Sequence, residues 1–201
     1  EKRLKRAGLK TVQYVSPQVW AWRQGRVRTI GRSCDLILCL LPFETDFYSQ
    51  HGVRAEFVGH PLADQIPLEV DRPGARGRLG IPSDATVVAL LPGSRLGEVQ
   101  RLGPDFVRAA AWIASRRPAV KFVAPMASAR ARAVFEHAIG SVATAPMAVT
   151  GAPAIELVDG HAQTVLAAAD AVLVASGTAT LETLLTGRPM VVAYRVGALT
   201  A

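Results

Sequence analysis

Two short stretches of the chain carry residue types suited to holding an anion. One is "LLPGSRLGEV", residues 90–99, and the other is "SGTATLE", residues 176–182. In each, an apolar run stops at small residues and a helical pattern begins almost at once. Backbone N–H groups can be exposed at such a turn, and the N-terminus of the following helix favours negative charge. Arg95 adds a fork of donors that suits phosphate oxygens. Gly93 and Ser94 make the tight turn before it. Ser176, Gly177 and Thr178 offer hydroxyls, N–H groups and close backbone approach. Glu182 follows Thr178 by four residues, so the two share one helix face; Leu181, Leu184 and Leu185 are expected on the core side. A capping box does not account for Glu182, which is not the third residue after Ser176 or Thr178. A carboxylate beside a phosphate site suits ribose hydroxyls. The plainer alternatives are an ordinary turn with Arg95 paired to Glu98, and a solvated helix glutamate at 182. Neither stretch is a Walker loop or a full G-x-G-x-x-G. Together they suggest a nucleotide diphosphate held between strand ends.

A third cluster is "YVSPQVWAWRQGR", residues 14–26. Trp20 and Trp22 beside Arg23 and Arg26 suit sugar or phosphate recognition, unless the tryptophans are core and the arginines solvated. His60, in "GHPLAD", is a conceivable general base or a satisfied turn histidine. No G-x-S-x-G elbow is present. Two cysteines and four histidines show no metal-ligand spacing.

The elements that must position these residues alternate between strand and helix. "TVQYV" reads as a strand. Ser16-Pro17 then reads as a helix start, with the helix running to about Arg32. "DLILCL" is a strand, "PFETDFYSQHG" a helix closed by Gly52, and "RAEFV" a strand. Residues 66–84, rich in Pro, Gly and charge, read as a linker with a possible short helical piece and as a domain boundary. Then follow the strand "TVVALLP", a helix to about Arg117, the strand "AVKFVAP" and the helix "SARARAVFEHAI". "MAVTG" and "AIELVDG" supply one or two strands. The helix "AQTVLAAAD", the strand "AVLVA", the helix "TATLETLLTG" and the strand "PMVVAYR" complete the series. Continuous apolar strands alternating with helices predict an α/β fold of parallel sheets covered on both faces.

With 201 residues, half of them hydrophobic, the chain has room for one large or two small domains with real cores. No apolar run approaches the ~20 residues that span a bilayer. Residues 1–35 hold nine Lys and Arg against Glu1 and Asp35, which accounts for the whole net charge of +7. The rest of the chain carries 14 charges of each sign. The local excess would face nucleic acid, an anionic membrane or a phosphorylated substrate, unless it is a solvated face. Cys34 and Cys39 read as free, buried thiols of a reducing cytoplasm.

"YVSPQVWAWRQGRV", "LPFETDFYSQHGV", "FVGHPLAD", "LLPGSRLGEV" and "ADAVLVASGTATLETLLTGRPMVVAYR" closely resemble the bacterial lipid-A-disaccharide synthases, and the resemblance covers nearly the whole chain. It implies a UDP-sugar glycosyltransferase with two Rossmann-like domains (GT-B type). Residues 1–65 would be the last part of the acceptor-side domain, the first domain being incomplete. Residues 66–84 would be the linker, and 85–201 the donor-binding domain without its C-terminal end.

The implied reaction moves 2,3-diacylglucosamine from UDP to 2,3-diacylglucosamine 1-phosphate, with inversion and without metal or cofactor. The implied partners are UDP-2,3-diacylglucosamine, that lipid acceptor and an anionic inner-membrane surface approached from the cytoplasm, with no nucleic acid. Arg95 would offset leaving-group charge; Gly93, Ser94, Ser176, Gly177, Thr178 and Thr180 would hold the diphosphate, and Glu182 the ribose. Trp20, Trp22, Arg23 and His60 would line the acceptor side of the cleft. The family's Gly- and Ser-containing first loop and the Asp motif that supplies its general base are not found here. The chain is therefore expected to be a central piece that binds UDP weakly and does not turn over. Competing expectations are another UDP-GlcNAc transferase or epimerase of the same fold, and a non-catalytic basic module binding nucleotide or RNA.

Overall fold

Continuous apolar runs become parallel strands here because helices cover both of their faces. The computed structural model describes residues 1–144 and 153–195 and falls into two units, Glu1–Gln65 and Ile66–Ala201. "MAVTG", one of the expected strands, lies outside the described residues.

The first unit runs α1 (Lys2–Arg6), β1 (Val12–Tyr14), a 3-10 turn (Gln24–Arg26), α2 (Val27–Ser33), β2 (Leu36–Cys39), α3 (Pro42–Gln50), β3 (Ala55–Phe57) and α4 (Pro61–Gln65). Its parallel sheet has the order β1-β2-β3. Ile37 and Cys39 of β2 pack with Val27 and Ile30 of α2 and with the fully buried Tyr48 of α3. Asp35, just before β2, accepts the Thr11 N–H at 2.8 Å and pairs with Lys5 at 3.2 Å. These partners hold its carboxyl below the usual aspartate range. Part of the basic N-terminal segment therefore serves the fold: Lys5 also donates to the Cys34 carbonyl at 2.7 Å.

The expected helix from Ser16 to Arg32 is only half present, since regular helix begins at Val27. The Ser16 hydroxyl does not cap a helix; it meets the Tyr48 hydroxyl at 3.0 Å inside the core. Val15 has a φ of 73° and Arg23 of 56°, so the chain loops between them. A β-branched residue at positive φ is a strained conformation, and here it lies just past the carboxyl end of β1.

The second unit runs α5 (Arg72–Arg78), β4 (Val87–Leu91), α6 (Leu96–Arg116), β5 (Lys121–Met126), α7 (Ala129–Ala143), β6 (Ile155–Asp159), α8 (Ala162–Ala168), β7 (Ala171–Ala175), α9 (Thr178–Leu185) and β8 (Met190–Ala193). The sheet is parallel throughout, in the order β6-β5-β4-β7-β8. Alternation along the strands builds two cores. Val87, Ala89 and Leu91 of β4 with Val172 and Val174 of β7 face α5 and α8. Leu90 and Ala175 face α6 and α7 on the other side. Gly103 lets those two helices close up: a Cβ there would sit 3.2 Å from the Ala138 methyl.

Residues 66–84 are packed into this unit and contain the short helix α5. Asp71 caps α5, accepting the Gly74 N–H at 2.8 Å. Ala75 and Ile81 enter the core. The Arg76 side chain is buried and fully engaged. It donates to Ala168 O (3.1 Å), Ser83 O (2.6 Å) and Asp170 Oδ2 (2.9 Å). Asp170 also pairs with Arg72 and accepts the Val87 N–H at 2.8 Å. One carboxylate thus ties α5 to the starts of β4 and β7.

Asp170→Ala leaves Arg76 buried without a counter-charge and should destabilise the second unit by about 3 kcal/mol in urea unfolding, with Asp170→Asn intermediate. Burial pushes the thiols of Cys34 and Cys39 up to about 11, Cys34 also through the Glu1 carboxylate that its Sγ faces at 3.2 Å. Neither should react with a thiol-specific disulfide reagent at pH 8 in the native protein, and both should react once it is unfolded; stoichiometric labelling before unfolding would contradict this.

Candidate functional site

In an open parallel sheet a ligand crevice forms where consecutive helices depart to opposite faces. In the second unit that point lies between β4 and β7. The helix after β4, α6, packs on one core, and Ala179 at the start of α9 packs on the other. The two anion-suited turns are the loops that leave these two strands at their carboxyl ends. The register β4–β7 runs to Leu91↔Val174, so Pro92-Gly93-Ser94 and Ser176-Gly177 start level with each other.

Both loops line one cavity of about 470 Å³. Of the eight residues proposed from sequence for nucleotide binding, seven line it: Gly93, Ser94, Arg95, Ser176, Gly177, Thr178 and Glu182. Thr180 does not. Its hydroxyl donates to Gly177 O at 2.6 Å and closes the first turn of α9. Thr178 and Glu182 share the cavity face, as their spacing predicts. The expected core side of α9 is corrected: Thr183 is fully buried, while Leu184 is 63% exposed. Thr183 can turn inward because its hydroxyl donates to Ala179 O at 2.7 Å.

Arg95 is 84% exposed, and its Nη1 donates to Glu98 Oε1 at 3.0 Å. The pairing expected of an ordinary turn is therefore present, at the mouth of a cavity. Gly93 has a φ of +118°, and the Glu98 side chain lies against its Cα.

Sequence reasoning missed the opposite wall. Pro125, Met126 and Ala127 come from the end of β5, and Gly160, His161 and Ala162 from the turn after β6. His161 holds a φ of 53° at the start of α8. A signal was available in Gly160-His161 directly after an apolar run. Using it required knowing that β6 and β5 lie beside β4, which no local pattern states.

In the first unit Trp20, Trp22, Arg23 and His60 all follow carboxyl ends of strands. The Trp20 indole donates to Glu44 Oε1 at 3.1 Å and meets the Phe43 ring edge-on at 4.9 Å. That joins the loop after β1 to the start of α3. Trp22 is exposed, with the Arg23 guanidinium stacked 4.6 Å from its ring centre. His60 Nδ1 accepts the Leu62 N–H at 3.1 Å, so one of its nitrogens is used by the turn itself.

The family model described as Lipid-A-disaccharide synthetase matches residues 1–201. A lipid-A-disaccharide synthase of Alkalilimnicola ehrlichii is 55% identical over 202 residues, covering 100% of this chain and 51% of that protein. One of Pseudomonas aeruginosa (strain UCBPP-PA14) is 54% identical over 200 residues, with the same 100% and 51% coverage. The chain spans about half the length of the curated relatives it matches. Among solved structures, a UDP-GlcNAc 2-epimerase from Neisseria meningitidis bound to UDP-GlcNAc superposes with a TM-score of 0.56 at 12% identity, over 91% of this chain and 51% of that one. A glycosyltransferase from Rickettsia africae ESF-5 gives 0.50 at 8% identity, over 95% and 59%. These likenesses concern the fold, and they agree with parallel α/β units of the GT-B class.

Gly93 and Gly97 should respond oppositely to alanine. A Cβ at Gly93 would lie 2.8 Å from Glu98 Oε2 and 2.9 Å from Glu98 Cβ, at a φ that L-residues rarely adopt; Gly93→Ala should cost about 1–3 kcal/mol. At Gly97, in the first turn of α6, the nearest atom would be 3.7 Å away, so Gly97→Ala should be neutral or stabilising. Urea denaturation of the two variants checks the pair.

Proposed function

The chain belongs to the lipid-A-disaccharide synthase family, and from that premise we propose that its second unit is the donor-binding half of a glycosyltransferase of lipid A biosynthesis. The donor is UDP-2,3-diacylglucosamine and the acceptor 2,3-diacylglucosamine 1-phosphate; the products are the β-1,6 disaccharide 1-phosphate and UDP. The observation that carries this is the single cavity shared by the loops after β4 and β7, with Arg95 at its mouth and Glu182 on its wall. Two loops with outward N–H groups and one arginine suit a diphosphate. Glu182, one helical turn into α9, suits the ribose hydroxyls. The wall of Pro125–Ala127 and Gly160–Ala162 is less polar and offers room for a flat base.

The chemistry follows from where charge develops. The acceptor's 6-hydroxyl attacks the anomeric carbon from the side opposite UDP, which inverts the configuration. The bond from that carbon to the β-phosphate oxygen breaks, and its electron pair leaves with UDP. The growing negative charge on the phosphate is met by Arg95 and by the N–H groups of both loops. The loop backbone is fixed before the reaction and needs no reorganisation, whereas Arg95 must first turn from Glu98 to the phosphate. A base must take the hydroxyl proton, and it is not assigned to any residue of this chain.

The first unit is the acceptor side in this reading. Exposed Trp22 with its stacked Arg23, within the basic segment 1–35, suits a phosphorylated lipid at an anionic inner membrane. Among the described residues no helix is long and apolar enough to cross a membrane, so association would be peripheral. A second reading, a basic module for RNA, has only the charge of residues 1–35 behind it.

UDP titration by calorimetry tests the assignment. Glu182→Ala should weaken UDP by about tenfold or more, the scale of a hydrogen bond to a charged group, and Arg95→Ala should do the same. Unaltered UDP affinity in Glu182→Ala would show that the ribose lies elsewhere. Absence of UDP binding alongside RNA binding that falls steeply with salt would instead favour the basic module.

A further inference from the structure

The cavity assigned to UDP carries more negative than positive charge. Its charged lining residues are Arg95, Glu98 and Glu182, so two carboxylates face one guanidinium. Glu182 has a use in the ribose. Glu98 has none in that reading, yet it is the acidic residue of the first turn of α6. Its carboxylate sits where the loop N–H groups and the helix N-terminus would otherwise attract the ligand. It holds Arg95 at 3.0 Å, with its side chain only 27% exposed against 84% for Arg95. Its side chain fills the space that a Cβ at Gly93 would need, the residue that shapes the turn before α6. It also borders a second, smaller cavity of about 160 Å³ that shares Ala175 and Ser176 with the first. Glu98 therefore competes with any anion in the cavity for the Arg95 guanidinium.

Resting on the UDP reading above, we propose that Glu98 is a positioning residue that acts through Arg95: it pairs with the guanidinium, gives it up to an entering diphosphate, and takes it back as UDP leaves. A guanidinium in a two-point contact with phosphate has no fork left for a carboxylate on the same side. The exchange makes each state satisfied, since Arg95 has a counter-ion in both. It also sets an upper limit on affinity for the product, because every diphosphate must first displace Glu98 and then lie near its charge. The pair is exposed and weak, which lets the exchange run in either direction.

The test is Glu98→Gln, which keeps the shape and removes the charge. At low ionic strength UDP should bind about three- to tenfold more tightly to the variant, the scale of one exposed ion pair plus one nearby like charge. Inorganic pyrophosphate should show the same gain and uridine none. The gain should shrink at high salt, because exposed charges are screened there. In an Arg95→Ala background, Glu98→Gln should gain clearly less, since the partner that Glu98 competes for is gone. Unchanged or weaker UDP binding in Glu98→Gln overturns the proposal and leaves the UDP site standing. An equal gain in the Arg95→Ala background overturns the exchange through Arg95. No UDP binding by the unaltered protein overturns the cavity assignment and this proposal with it.

Discussion

The second unit depends on one topological constraint: the chain reverses its direction of travel across the sheet between β4 and β7. From β4 it winds outward through β5 to β6, with α6 and α7 on one face. It then crosses back under α8 to β7, and α9 leaves on that second face. Two adjacent strands whose helices part leave their carboxyl ends uncovered, and only there can two loops converge on one ligand. At the other end of the same two strands Asp170 makes the matching connection. It accepts the Val87 N–H beside β4, precedes β7 directly, and is held by Arg72 and by the buried Arg76. The crevice at one end and the ionic clamp at the other are two consequences of the same strand neighbours.

How much of this the sequence disclosed depended on range. The loops after β4 and β7 were legible because each is a local event: an apolar run, two or three small residues, then a helical pattern. Pairing the loops needed only the expectation of a parallel sheet. The wall from β5 and β6 was not legible, because Met126 and Gly160 become neighbours of Gly93 only through the strand order. In segment 66–84 the expected short helical piece is present as α5; what its glycines and prolines do not disclose is the buried Arg76 guanidinium, with its four oxygen acceptors. The Ser16-Pro17 signal was overruled by a distant partner, the Tyr48 hydroxyl. Helix face α9 was misjudged because leucine was weighed above threonine, although a threonine that bonds its own helix carbonyl loses little by burial.

Charge gives a similar lesson. As composition, the basic excess of residues 1–35 reads as one patch. In the folded unit it divides. Lys5 is committed to Asp35 and to carbonyls of the segment Gly31–Cys34. Arg23 is stacked on an exposed indole at the carboxyl edge of the sheet. The first lies where strands begin and the second where they end, so only a fraction of the formal charge faces any one ligand. Net charge therefore argues for a class of partner, and placement decides which residues meet it.

The cavity between the two loops shows the converse. Its charged lining is acidic on balance, with Glu98 and Glu182 against Arg95. In the reading proposed above, a diphosphate would be drawn less by summed side-chain charge than by the two helix starts and Arg95. Such groups are effective at short range and weak at a distance, so they select by fit at the turn. A strongly basic pocket would attract phosphate groups indiscriminately. One whose lining arginine is already paired, as Arg95 is with Glu98, discriminates by fit instead.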